Sequence, residues 1–325
     1  MTPRNAHRVF VVVFDDFQLL DAAGPVQVFA SSNDEPGRET RRGYAVHTVS
    51  ATGGLVRSTS GLCIATEPLP TPARTRGATI IIAGGEGARR THGLDVVLDW
   101  VGKTAPAAAR IGSVCTGAFI LARSGLLDGG EAVTHWQHVA EFKAAFPSVA
   151  VRADALYVRN GNIYSSAGVT AGIDLCLSLV EQDHGRDHAL AIAKRLVVHH
   201  KRAGGQLQFS SELLAQAAPS PPFDALVRTM RERPNIDWSI PRMAAAATMS
   251  PRSFHRKFGQ ALGMTPAQFL GNVRLEKACA LIEREGASLK TIARKAGFGS
   301  EVNMKNSFTK RLGVTPTQYL ARFRA

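Results

Sequence analysis

Between Arg8 and about Asp183 the chain alternates short runs rich in β-branched residues with stretches in which apolar residues recur every three or four positions. RVFVVVF, YAVHTVSA, ATIIIAGG and AARIGSV are such runs. They read as buried strands of a parallel sheet. LDVVLDWVGKTA and TGAFILARSGLL read as the helices between them. VRADALYVRNGNIYSSAG predicts a hairpin whose tight turn is Asn160-Gly161. Two further helices are expected over TAGIDLCLSLVEQDHG and RDHALAIAKRLVVHHKR. The pattern predicts an α/β fold with a flavodoxin-like, doubly wound parallel sheet over residues 1–202. A Gly-, Gln-, Ser- and Pro-containing stretch, 203–222, then breaks the periodicity and reads as a linker.

Residues 223–325 have a helical period throughout and contain a repeat. GMTPAQFL (263–270) and GVTPTQYL (313–320) match at an offset of 50. Upstream of the first, Ser250 and Pro251 predict a helix start, with Phe254 and Phe258 one turn apart on the inner face. Arg252, Ser253, His255, Arg256 and Lys257 are then left outside. Upstream of the second, Ser300 starts a helix with Met304 and Phe308 inside, and Glu301, Asn303, Lys305, Asn306 and Thr309 outside. An alanine-containing helix precedes each, IPRMAAAAT and LKTIARKAG, so the pattern predicts an all-α domain with two helix-turn-helix motifs. NVRLEKACALIEREG between them is expected to be a connecting helix buried through Val273, Leu275, Ala278, Leu281 and Ile282. Were that helix rigid, the two readers would enter adjacent major grooves on one face of double-stranded DNA, about 34 Å apart.

Charge sharpens this division. Of the net +13, residues 221–325 carry +11, from 18 basic against 7 acidic side chains. A strongly basic module on a nearly neutral body is the electrostatic footprint of a nucleic-acid-binding domain. Arg252, His255 and Arg256 are candidates for base edges at one site, with Ser253 beside them. Glu301, Asn303, Lys305 and Asn306 are the candidates at the other, and Lys257, Lys310 and Arg311 are candidates for phosphates. The apolar run near the N-terminus, Val9 to Phe14, is too short for a signal segment or a membrane span, so a cytoplasmic protein without membrane contact is expected. The four cysteines lack C-x-x-C spacing and a histidine pair, and the adjacent His199 and His200 point to different sides of a helix. Neither a disulfide framework, a metal site nor a cofactor is expected.

Residues 223–325 resemble the DNA-binding domain of the AraC/XylS family of bacterial transcription regulators. TIARKAGFGSEVNMKNSFTKRLGVTPTQYL follows that family's signature, with Met304 where an aromatic is usual and Asn306 where a basic residue is frequent. Asparagine favours adenine edges, which implies a different base preference for the downstream reader. Residues 8–200 resemble the class I glutamine amidotransferase-like (PfpI/ThiJ) superfamily, through FDDFQLLDAAGPVQVFA, IIAGGEG, SVCTGAFILARSGLLDG, THW and SSAGVTAGIDLCL. The resemblance implies that Cys115 sits on a strand-to-helix elbow at the carboxyl edge of the sheet. A helix N-terminus there would lower the thiol pKa and offer N–H groups to an anion, with Gly84 and Gly85 letting another backbone N–H approach.

The residues around Cys115 leave three readings. Thr116 stands where peptidase-like members carry a histidine base, and Gln27 matches a position where many members place an acid. Asp21, Cys115 and Thr116 nevertheless match isonitrile hydratases of the same superfamily, which keeps a cysteine-dependent hydratase or amidase in view. His135 in THW is a candidate base, while Asp21 could instead cap a helix beginning near Ala22. A thiol redox sensor is a further alternative. The reading favoured is a transcription regulator rather than an enzyme. Its effector pocket is expected at Asp21, Gly84, Gly85, Cys115, Thr116 and His135, taking a small nitrogenous or anionic metabolite. Phe17 and Trp136 are candidates to line that pocket, whereas Cys176 and Cys279 read as packing residues. The resemblance also implies a homodimer through the α/β domain, and effector binding is expected to act on DNA affinity or on contact with RNA polymerase.

Overall fold

The computed structural model describes residues 6–35, 42–90, 92–153, 155–198, 223–262, 264–284, 287–312 and 314–321. The chain divides into two compact units, split within 199–222. The expected linker 203–222, His199 and His200 lie outside the described residues.

The first unit is built on an eight-stranded sheet of order β3-β4-β2-β1-β5-β6-β10-β9. Its strands are β1 (His7–Val12), β2 (Tyr44–Ser50), β3 (Gly54–Arg57), β4 (Cys63–Pro68), β5 (Thr79–Ile82) and β6 (Arg110–Val114), with β9 (Tyr157–Asn160) and β10 (Ile163–Ser166) at the far edge. A separate parallel pair joins β7 (Glu131–Ala132) to β8 (Ala150–Val151). From β4 to β10 every pairing is parallel, and both edges are closed by antiparallel hairpins. Val9, Phe10, Val11 and Val12 of β1, with Ile80, Ile81 and Ile82 of β5, are fully buried. A strand covered on both faces must be apolar at every position, which is why these runs show no alternation. Helices Leu19–Asp34, Thr170–His184 and Arg186–Arg195 pack on one another as one group, and Pro72–Thr75, Asp95–Thr104 and Ala118–Arg123 as another.

Several elements depart from their sequence pattern. The β3–β4 hairpin turns Val56 into the core and packs Ile64 against it but leaves Leu55 and Leu62 exposed, so its apolar residues do not mark a single inward face. The helix containing Asp21 starts at Leu19, a turn earlier than Ala22, and continues through Pro25. The last helix of the unit ends at Arg195, short of its apolar tail, and Val197 follows with φ of +54°.

At the amino edge the first residues of the parallel strands meet the end of helix Thr170–His184. Arg110 holds Asp183 with two hydrogen bonds of 2.9 and 2.5 Å, and the Tyr44 hydroxyl donates to the same carboxylate at 2.6 Å. Arg110 also donates to Thr79 Oγ1 (3.0 Å), which is bonded to His7 Nε2 at 2.8 Å. Burial disfavours the ionised Asp183, but the bonds from Arg110 and Tyr44 outweigh it and hold the carboxyl below its usual range.

The second unit contains two cores threaded by one helix. Phe223, Leu226, Met230, Met243, Phe254, Phe258, Phe269 and Val273 form one core; Leu275, Ala278, Ile282, Ile292, Met304, Phe308 and Tyr319 form the other. Helix Pro266–Arg284 supplies residues to both. The repeated TPxQ explains itself at its start. Thr265 N–H donates to Gln268 Oε1 at 2.9 Å while Gln268 N–H donates to Thr265 Oγ1 at 3.2 Å. Thr315 and Gln318 repeat the exchange at 2.8 and 3.2 Å. These are capping boxes, each satisfying two otherwise orphaned donors.

Candidate functional site

The segments that follow β1, β5, β6 and β10 converge at the carboxyl edge of the sheet, where ligands bind in open α/β folds. After β1 the chain enters helix Leu19–Asp34 and presents Asp21, whose side chain is fully buried. After β5, Gly84 donates its N–H to Asp21 Oδ2 at 3.2 Å. After β10, the Val169 N–H donates to Asp21 Oδ1 at 3.1 Å. Asp21 therefore ties two other segments together and does not cap its own helix, whose first position has no side-chain cap.

Cys115 follows β6 directly and has φ of +57°, which an L residue adopts only under strain. The residue is 8% exposed. A short 3-10 turn, Cys115–Gly117, then leads into helix Ala118–Arg123. Gly117 is required at this turn, because a Cβ there would stand 2.6 Å from the Ile82 carbonyl oxygen and 2.8 Å from that of Ala83. The same test on Gly84 places a Cβ 2.6 Å from Asp21 Oδ2 and 2.8 Å from Cys115 Cβ. Thr116 and Gly85 exchange hydrogen bonds, each 2.8 Å, with the hydroxyl accepting from the Gly85 N–H and donating to its carbonyl.

The structure brings Asp21, Gly84, Gly85, Cys115 and Thr116 into one bonded cluster. His135 lies on the other side of Gly168, whose Cβ would be 3.2 Å from Cys115 Sγ and 3.0 Å from His135 Cδ2. Gly168 and Val169 belong to the site, and the sequence signals them only through SSAGVTAGIDLCL, a segment of the superfamily resemblance without an expected site residue. Trp136, 48% exposed, sits beside His135 with ring centroids 5.8 Å apart. Phe17 is fully buried and packs in the core.

Three expectations change here. The N–H groups of Gly84 and Gly85 are bonded within the cluster and are not turned to an anion. The elbow does not lower the thiol pKa: burial, then the charge of Asp21, push it well above the ordinary cysteine value. The acid beside the thiol is Asp21, since Gln27 is exposed and donates to Ser31 at 3.1 Å. Burial raises the Asp21 carboxyl to about 7, against the opposing effect of its donors Val169 and Gly84. His135 is held below its usual value by burial and then by His138, which keeps the ring neutral. At neutral pH the cluster is a protonated thiol, a carboxyl near its midpoint and a neutral imidazole.

A protonated thiol is a poor nucleophile. In a Cys63→Ser background, which removes the exposed thiol, iodoacetamide at pH 7.5 should label native Cys115 more than tenfold slower than the unfolded chain. Labelling as fast as in the unfolded chain would refute the protonated state. The carboxyl adds a second signature. Asp21 keeps its proton in the folded protein up to about pH 7 but loses it near 3.8 when unfolded, so it stabilises the fold at low pH and that contribution is lost as pH rises between those values. Asp21→Asn should abolish this component in urea midpoints compared from pH 4 to 8.

In the second unit, helices Pro251–Leu262 and Glu301–Leu312 are capped as expected, with Ser250 Oγ accepting from Ser253 N–H (3.3 Å) and Ser300 Oγ from Asn303 N–H (3.2 Å). Arg252, His255, Arg256 and Lys257 are exposed on the first, with Ser253 half-buried. Glu301, Asn303, Lys305, Asn306 and Lys310 are exposed on the second. Asn303 turns its amide back to the Phe298 carbonyl at 3.1 Å. Arg311 departs from its expected phosphate role: it is half-buried, and its guanidinium is bonded to the buried Asn272 of helix Pro266–Arg284. Val302, absent from the sequence-based candidates, is 66% exposed on the same helix. Among the described residues no three His, Cys, Asp or Glu side chains cluster as metal ligands, and no helix is long and apolar enough to cross a membrane.

Residues 7–182 match the DJ-1/PfpI family profile, and residues 243–322 match a helix-turn-helix domain. The chain is similar to the HTH-type transcriptional regulator GbdR of Pseudomonas aeruginosa, 28% identical over 313 residues that cover 96% of this chain and 84% of that protein. It is also similar to isonitrile hydratase of Pseudomonas putida, 31% identical over 222 residues, 68% of this chain and 82% of the enzyme. Among solved structures, an AraC family transcriptional regulator from Pseudomonas putida aligns with a TM-score of 0.50 at 21% identity, over 58% of this chain and 99% of that one.

Proposed function

Because the chain belongs to the DJ-1/PfpI family and carries a helix-turn-helix domain behind that fold, we propose that it is a DNA-binding transcriptional regulator whose DJ-1/PfpI unit senses a small molecule. The observation that carries the reading is the pair of serine-capped helices, Pro251–Leu262 and Glu301–Leu312, each presenting an exposed polar face on the basic part of the chain. DNA binding needs no catalysis, and the chemistry at Cys115 points the same way. Its thiol is protonated, and the neighbouring glycine N–H groups that would stabilise an oxyanion are already bonded.

In this reading residues 1–202 sense and dimerise, 203–222 link, and 223–325 read DNA in two adjacent major grooves per protomer. The effector is a small nitrogenous metabolite. Asp21 is fully buried with both oxygens already accepting from Gly84 and Val169, so it acts through the charge of a carboxyl that titrates near neutrality rather than by contact, and Trp136 supplies a half-exposed ring beside His135. An anionic effector is disfavoured, since both glycine N–H groups are engaged. Binding must favour one functional state of the regulator over another to act as a switch, whether through DNA affinity or contact with RNA polymerase.

Two measurements test the reading. The full chain should enrich a defined sequence from a random duplex library; binding without enrichment would defeat sequence-specific reading. A thermal-shift screen should show stabilisation by small amines rather than by small carboxylates of the same size, reduced in Asp21→Asn. Stabilisation by the carboxylates alone would reverse the effector class. The same samples should sediment at twice 34.8 kDa, the proposed homodimer.

A further inference from the structure

The offset of 50 that relates the two helix-turn-helix motifs pairs their reading helices position by position. Ser250 aligns with Ser300, Phe254 with Met304 and Phe258 with Phe308, so the caps and the core agree. The exposed faces do not agree. Arg252 pairs with Val302, His255 with Lys305 and Arg256 with Asn306.

Val302 is the exposed large hydrophobic side chain among the described residues of the second unit. It is the second residue of helix Glu301–Leu312 and is 66% exposed, while Met304, Phe308 and Leu312 hold the helix to its core. Packing does not account for it, and a β-branched residue gains nothing in helix propensity there, so what sets it apart is its position. It lies one turn before Lys305 and Asn306, on the same side of the helix. Asn303, next to it, has its amide drawn back to Phe298, which leaves Val302 beside Asn306 at the accessible end of the helix. The N-terminal residues of a reading helix are the ones that reach base edges. In the major groove the apolar feature available to an aliphatic side chain is the 5-methyl group of thymine.

We propose that Val302 reads the 5-methyl of a thymine in the second half-site, next to an adenine read by Asn306, where the paired Arg252 of the first helix reads a purine acceptor. The inference rests on the base-reading role proposed above. It makes the two half-sites chemically unlike, so the operator has a direction even though the protein motif is duplicated.

The test uses the full chain and the duplex that it enriches from a random library. Each thymine of that duplex is replaced singly by uracil, which removes only the methyl. Uracil at one position of the second half-site should weaken wild-type binding about fourfold, the worth of one buried methyl-sized group. Val302→Ala should bind the thymine and uracil duplexes alike at that position while keeping its sensitivity elsewhere. Alanine suits an exposed helical position better than valine, and unchanged circular dichroism confirms the fold. Absence of any uracil-sensitive position, or the same sensitivity in Val302→Ala, overturns the assignment of Val302 and leaves the regulator reading intact. Failure to enrich any sequence overturns the regulator reading instead.

Discussion

Asp183→Ala is expected to lower the stability of the first unit by about 3 kcal/mol, near the lower end for a broken buried ion pair. The lower end applies because Asp183 keeps 27% of its side-chain surface, whereas Arg110 keeps only 10%. The loss has three parts. Arg110 is left charged with two donors unmatched, the Tyr44 hydroxyl loses its acceptor, and the end of helix Thr170–His184 loses its tie to β2 and β6. For a unit of this size the melting temperature should fall by about 6–12 °C. Replacing both partners, Arg110→Met with Asp183→Leu, should cost less than Asp183→Ala alone, because no charge is left stranded. A double variant at least as unstable as the single one would show that the pair matters through its packing rather than its charge. Acid should reproduce part of the effect. His7 is depressed to about 4, mainly by burial and then by Arg110, so its contribution is complete above the unfolded value of 6.5 and is lost as pH falls from 6.5 towards 4.

The second large effect lies on DNA. Arg256→Ala should weaken binding to the enriched site by about 1–3 kcal/mol and relax selectivity at one base position, since a guanidinium read against a purine edge is lost. Lys257→Ala, one residue along and equally exposed, should weaken specific and random duplexes alike. It should also lower the salt slope by about one counterion. Competition binding against random DNA at two salt concentrations separates the two cases. An equal loss on both kinds of DNA for Arg256→Ala would reassign it to the phosphate backbone.

Much of the fold is legible in the sequence because it is written in local periodicity. The unbroken apolar runs of β1 and β5, the Asn160-Gly161 turn and the paired serine caps each specify their structure within a few residues. What escapes is whatever depends on distant partners. Cys115 looks activated as the first residue of a turn leading into a helix, and its burial in the fold, then the charge of Asp21, 94 positions earlier, reverse that view. Gln27 looks like the neighbour of the thiol from its place in the chain, yet it faces outward. Arg311 reads as one more surface cation until Asn272 is seen beneath it. The β3–β4 hairpin is obscured because Leu55 and Leu62 are exposed while Val56 and Ile64 face the core.

The arginines that cross between the halves of the second unit carry a consequence for the DNA itself. Arg274, on the shared helix, donates to the carbonyls of Pro234 (3.0 Å) and Ile236 (3.3 Å) in the first motif's segment. Gly297 of the second motif packs so closely on Pro234 that a Cβ would lie 2.2 Å from its carbonyl oxygen. Arg311, also of the second motif, grips Asn272. These contacts tie the two motifs together, and in the reading proposed above they would hold the two helices at one azimuth as well as one distance. The duplex turns once in about 10.5 base pairs, so five extra pairs between half-sites would swing one of them to the far side, out of reach. In that reading helical phase is a determinant of the operator alongside base identity, set by braces inside the protein as well as by the side chains that face the bases.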